Sequence, residues 1–139
     1  MSIESWDGSA LEWSEKVARA YGYALVTPEY NHGYPAPPLK NALDHLFSEW
    51  NRKPIGFVSY GASGGGLRAV EQLRQVAIEL KMAPVRRRVA IPRVWEALDG
   101  SGVPRDPQVT EQARALLDEM AWWATSLRAA AQTPALEEV

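Results

Sequence analysis

The sequence predicts an α/β protein with a short parallel sheet of about three strands and helices on both faces. Three observations predict it. Short apolar runs at residues 23–27, 55–60 and 85–91 are each bounded by Gly or Pro. Segments with helical periodicity separate them, which is the pattern of βαβ units. The first run is apolar on both faces, as a parallel strand covered from both sides reads. Right-handed crossovers then distribute the helices over both faces of the sheet.

Each element has its own signal. Residues 9–21 predict a first helix: Ser9 with Glu12 fits a capping box, and Ala10, Trp13, Val17 and Tyr21 share one face. Gly22 ends it, and the first strand follows. The next loop, residues 28–37, carries Pro28, Pro35, Pro37 and Gly33, too stiff and polar a stretch for a simple linker. Pro38 suits the first turn of a helix. Leu39, Ala42, Leu43, Leu46, Phe47 and Trp50 recur at three- and four-residue steps, so residues 38–50 predict one amphipathic helix. Pro54 leads into the second strand, and a glycine-rich loop, residues 61–66, follows it. Leu67, Val70, Leu73, Val76 and Leu80 mark the next helix. Pro84 opens the third strand and Pro92 closes it. A loop rich in Gly, Pro and Asp follows, with a helical turn at 94–98. Asp106 as N-cap and Pro107 at N1 start the last helix, whose apolar stripe is Val109, Ala113, Leu116, Met120, Trp123 and Leu127. The chain reads as one domain over 1–139, with an N-terminal extension at 1–8 and a disordered tail at 132–139.

Composition narrows the function. At 139 residues, 46% hydrophobic and 23% charged, the chain is long enough for a real core. The formal net charge of −2 gives no electrostatic case for nucleic acid or an anionic membrane. No apolar run spans a bilayer, and no basic region followed by an apolar stretch opens the chain, so a cytoplasmic location is expected. The absence of cysteine removes disulfides, thiol catalysis and thiolate metal sites.

The loops after the first two strands lie at the carboxyl ends of parallel strands, where open α/β sheets bind ligands, so together they should line one crevice. Each has a purely structural reading as well. The first is either a proline-rich turn or a shelf for a planar ligand, with Tyr30 or Tyr34 as an aromatic wall. The second is either a helix-opening loop or a place where backbone closely approaches a ligand. It lacks the Gly-Lys-Ser/Thr ending of a phosphate-binding Walker loop and the dinucleotide glycine pattern. His32 and His45 have no metal-ligand spacing. His45 reads as a surface or interface group, and His32 as a solvated loop group with a catalytic role as the alternative. Arg86, Arg87 and Arg88 read as a solvated, edge-protecting run rather than a phosphate trap. Trp122 and Trp123 read as core or dimer packing rather than a binding platform.

Three strings together resemble the NADPH-dependent FMN reductase family: Thr27-Pro28-Glu29-Tyr30-Asn31, Leu39-Lys40-Asn41-Ala42-Leu43-Asp44, and Ser59-Tyr60-Gly61-Ala62-Ser63-Gly64-Gly65-Gly66-Leu67-Arg68-Ala69. The similarity runs from about Trp13 to Trp122 and Trp123. It implies a flavodoxin-like three-layer sandwich and an enzyme that binds FMN. NADPH or NADH would donate a hydride, and a small acceptor such as a flavin or quinone would receive it. Pro28, Glu29, Tyr30 and Asn31 would line the isoalloxazine ring, and Tyr60, Gly61, Ser63, Gly64 and Gly65 would meet its other edge. No side chain need act as a strong acid or base. The helix after the first loop and the last helix would lie at the interface of a dimer or tetramer.

The chain also departs from that family. Members begin with a strand and a Gly-Ser-x-Arg-type loop that holds the FMN phosphate, then a helix and a second strand, and the twenty-odd residues before position 23 supply none of this. The expectation is therefore a truncated flavodoxin-like sandwich whose first strand becomes an apolar sheet edge. FMN binding should be weak or partner-dependent, since each lost charge-assisted hydrogen bond forfeits roughly 1.5–3 kcal/mol. The alternative is a non-catalytic flavodoxin-like subunit that uses its bare edge and tryptophan-bearing helix to oligomerise. A misplaced gene start or a fragment would explain the same departure.

Overall fold

A computed structural model describes residues 8–133 of the chain. Strands β1 (Tyr23–Pro28), β2 (Pro54–Tyr60) and β3 (Ala83–Ile91) form one parallel sheet in the order β1-β2-β3. The helices are α1 (Gly8–Arg19), α2 (Pro37–Asp44), α3 (Leu67–Glu79), α4 (Val94–Ala97) and α5 (Pro107–Ala131). A 3₁₀ turn, Ser48–Trp50, lies between α2 and β2. The architecture is the expected flavodoxin-like α/β sandwich.

Alternation along β2 builds two cores, one on each face of the sheet. Ile55 and Phe57 join Val17, Leu43, Leu46, Trp50, Val70 and Leu73 beneath the helices preceding β3. On the opposite face, Val58 packs against Val85, Val89, Leu116 and Met120 beneath α5. Gly56 lets α5 settle closely: a Cβ there would lie 2.5 Å from Met120 Sδ and 2.9 Å from Leu116 Cδ1. Asp106 caps α5 as expected, accepting from the Gln108 N–H at 2.9 Å, with Pro107 at the first helical position.

The structure corrects several boundaries. Ser9 lies inside α1 rather than ahead of it. The single helix expected over 38–50 ends at Asp44. Its apolar rhythm continues because Trp50 turns back on it: the indole donates to the Leu43 carbonyl at 3.1 Å, and the chain re-tightens as the 3₁₀ turn. That turn holds α1. Trp13 meets Trp50 edge-on and donates to the Ala42 carbonyl at 2.9 Å, while the Tyr23 hydroxyl donates to Val17 O. The expected terminal segments at 1–7 and 134–139 lie outside the described residues.

β1 is not covered on both faces. Tyr23, Leu25 and Thr27 are sheltered, but Ala24 and Val26 are exposed, Val26 at 61%. The reason is geometric: α5 lies over β2 and β3, and β1 is the sheet's edge. The other edge is guarded differently. Between the pairs Ile55–Pro84 and Phe57–Arg88, β3 bulges, which leaves Arg86, Arg87 and Arg88 exposed. Arg74 donates to the Val85 and Arg86 carbonyls freed there, and Arg87 pairs with Glu119 of α5. Trp122 and Trp123 do not enter the core. Beyond Met120 the helix carries no buried residue, and the two rings contact each other edge-on at the surface.

Candidate functional site

The first loop is held at its neck and at its tip. Thr27, fully buried at the end of β1, donates to the Pro28 carbonyl at 2.9 Å and accepts from the Ala36 N–H at 3.4 Å, drawing the loop's two ends together. At the tip, Tyr30 and Tyr34 exchange backbone hydrogen bonds of 2.8 and 3.1 Å, and the Gly33 N–H donates to Tyr30 O. Asn31 and His32 turn the corner with φ of +48° and +66°. Positive φ at both central residues is the signature of a primed turn, and Asn and His enter that region more readily than most residues. The result is a rigid tongue with Tyr30, Asn31, His32 and Tyr34 exposed along it.

The second loop folds back on the strands that carry it. Buried Ser59 donates to the Gly65 carbonyl at 2.7 Å. Gly65 and Gly66 both have positive φ. A Cβ on Gly66 would lie 2.7 Å from Ser59 Cβ, and one on Gly65 would lie 3.1 Å from the Pro92 nitrogen. These glycines make room for the protein's own backbone. The third loop is clasped on as well: the Arg93 N–H donates to Ala62 O and the Val94 N–H to Gly61 O, which sets α4 and its exposed Trp95 against the glycine-rich loop.

The two predicted loops do meet, through a contact the sequence did not reveal. Glu29 Oε2 accepts from the backbone N–H of Arg68 at 3.0 Å, and Oε1 accepts from the Arg68 guanidinium at 2.9 Å. Burial pushes the Glu29 carboxyl up, but the hydrogen bonds and charge of Arg68 outweigh it and hold its pKa below the ordinary 4.5. Parallel register places the two loops side by side, Pro28 opposite Tyr60. Pro28, Glu29, Tyr30 and Asn31 thus stand at the end of β1, and Tyr60, Gly61, Ser63, Gly64 and Gly65 at the adjoining end of β2.

Ala62 and Ser63 are exposed, and among the described residues their N–H groups find no protein acceptor. The arginines beside the loops are already engaged, Arg68 by Glu29 and Arg93 by Glu96. No group of three or more His, Asp or Glu could hold a metal ion among the described residues. His45 caps the end of α2, its Nδ1 2.8 Å from the Asn41 carbonyl, and belongs to neither loop. Thr27, Ser59 and Arg68 escaped prediction as site-builders although each stands within a loop motif. Thr27 and Ser59 are polar residues closing apolar strands, which is a usable signal, whereas nothing in the sequence pairs Glu29 with a residue 39 positions away.

Comparison with known proteins gives the same family. The family model of the NADPH-dependent FMN reductases matches residues 4–96. The chain is 51% identical over 83 residues to an NAD(P)H-dependent FMN reductase of Schizosaccharomyces pombe, covering 58% of this chain and 40% of that protein. It is 46% identical over 76 residues to the NAD(P)H-dependent FMN reductase LOT6 of Saccharomyces cerevisiae, covering 55% and 39%. The chain therefore spans about 40% of the length of these curated relatives. The solved structure of FerB from Paracoccus denitrificans, a flavoenzyme NAD(P)H:(acceptor) oxidoreductase, superposes with a TM-score of 0.71. It covers 88% of this chain and 71% of that one at 20% identity, a likeness of fold. Both strand-end motifs fall within the matched span, and the chain belongs to the NADPH-dependent FMN reductase family.

Proposed function

We propose that the chain binds the isoalloxazine ring of FMN between its two strand-end loops and serves hydride transfer from NADPH or NADH to a small acceptor such as a flavin or quinone. The observation that carries this reading is the junction of the two family motifs at adjoining strand ends, tied by Glu29 and Arg68. Pro28, Glu29, Tyr30 and Asn31 would flank one side of the ring. Tyr60, Gly61, Ser63, Gly64 and Gly65 would flank the other, with the spare N–H groups of Ala62 and Ser63 available to its electron-rich edge. Bound there, the flavin supplies the redox chemistry, and the protein orients it and limits water. Since the arginines at the crevice are already paired, the described residues offer the phosphate little, and FMN should be held weakly or with a partner's help. A cytoplasmic homo-oligomer is the setting we propose; among the described residues no helix is long and apolar enough to cross a membrane.

A second reading is favoured by the bare β1 edge, exposed Val26 and the surface pair Trp122 and Trp123. On that reading the chain is a non-catalytic subunit that associates through these surfaces. Purification followed by incubation with FMN, gel filtration and an NAD(P)H oxidation assay separates the two. Retained flavin with turnover supports the enzyme, and a stable, colourless oligomer supports the subunit.

A further inference from the structure

Helix α3 begins without a cap of its own. Its N-cap residue is Gly66, which has no side chain to offer the first-turn N–H groups. The missing acceptor comes from 39 residues away: the Glu29 carboxylate takes the Arg68 N–H with one oxygen and the Arg68 guanidinium with the other. Its side chain is only 10% exposed. Gly64 stands beside the pair: a Cβ there would lie 2.8 Å from Arg68 Nη1, the mobile end of that side chain.

From this geometry we infer that Glu29 and Arg68 form one positioning unit that locks the first loop to the start of α3 and so sets the spacing of the two loops proposed to hold the flavin ring. Glu29 positions the loop through its bonds to the start of α3. An exposed ion pair alone would be worth little. This one is sheltered on the carboxylate side, doubly bonded, and stands at the positive end of a helix. The tongue's own hydrogen bonds, Gly33 and Tyr34 N–H to Tyr30 O, begin one residue beyond Glu29 and should report its grip.

The inference deepens the flavin-site reading but can be tested without flavin, by amide hydrogen exchange on the full chain. In Glu29→Ala, exchange at Gly33, Tyr34 and Arg68 should speed up about tenfold, the scale of one lost cap, while Phe57 and Val58 in β2 stay as in the wild type. Arg68→Ala, which leaves the backbone N–H at position 68 bonded to Glu29, should loosen Gly33 and Tyr34 in the same direction but less. The double variant should be no looser than Glu29→Ala, because both hydrogen bonds end on the Glu29 carboxylate. Glu29→Gln, which keeps an acceptor for the Arg68 N–H, should fall between. Tongue amides that exchange at the wild-type rate in both alanine variants, or effects that add, would overturn the inference. An FMN titration of the same variants then reads the link to the site: about tenfold weaker binding in Glu29→Ala is expected, in step with the exchange. A wild-type chain that takes up no flavin would sink the flavin reading and leave the exchange result to decide the lock.

Discussion

At the residue scale, the glycines around β2 differ in what they make room for. A Cβ on Gly56 would press on Met120 and Leu116, the two buried residues of α5. Gly56→Ala should therefore overpack that core and cost about 1–3 kcal/mol, read as a lower urea midpoint at unchanged slope. A midpoint equal to the wild type would contradict the close seating of α5. A sequence does not say whose atoms a glycine admits: a Cβ on Gly65 would lie 3.1 Å from the protein's own Pro92 nitrogen. Titration gives a second test. Burial pushes the Glu29 and Glu49 carboxyls up, but hydrogen bonds outweigh it, chiefly from Arg68 for Glu29 and from Ser14 for Glu49, and hold both below 4.5. The unfolded carboxyls take up protons first as pH falls, so the stability these groups add is present above about 4.5 and is lost below it, through the depressed folded values. Glu29→Gln should flatten part of the acid limb of a stability–pH curve. A limb as steep as the wild type's would mean that the ion pair contributes nothing to folding.

At the scale of elements, helical periodicity was legible and its interruption was not. Leu43, Leu46 and Trp50 keep a helical step, yet α2 stops at Asp44 because the Trp50 indole bonds back to Leu43 O. Periodicity records which side chains face the core, and a helix followed by a 3₁₀ turn faces them much as one helix would. Trp50 is also the floor for Trp13 and Tyr23, which join α1 and β1 to the core. Trp50→Ala should cost about 3–5 kcal/mol. Trp50→Phe, which keeps a ring but removes the donor, should cost about 1–2 kcal/mol, both read by denaturant unfolding. Equal losses in the two would place the value of Trp50 in its hydrogen bond alone and contradict its role as a floor.

At the scale of the whole molecule, the sheet, its parallel order and the convergence of two strand-end loops were all readable from three apolar runs and their spacers. The uneven cover of β1 was not. Tyr23, Ala24, Leu25 and Val26 read as a strand buried on both faces, and the sequence holds no sign that α5 stops short of it. Val26 is left exposed, at a position where substitution in a free monomer should change stability by less than about 0.5 kcal/mol. If the chain self-associates through β1, as its subunit reading requires, Val26→Lys should shift sedimentation toward monomer without lowering the unfolding midpoint. An unchanged oligomer would remove β1 from the interface.

The central claim is that the two loops recognise a flavin ring and give its phosphate little. Parallel titrations of the purified chain with FMN and riboflavin, followed by flavin absorption and fluorescence, test it most directly. The account predicts that both bind, with affinities within about threefold of each other, because no charge-assisted anchor separates them. FMN binding about a hundredfold tighter than riboflavin would reveal a phosphate anchor that this account denies. No binding of either flavin would show that the two loops do not make a flavin site in this chain.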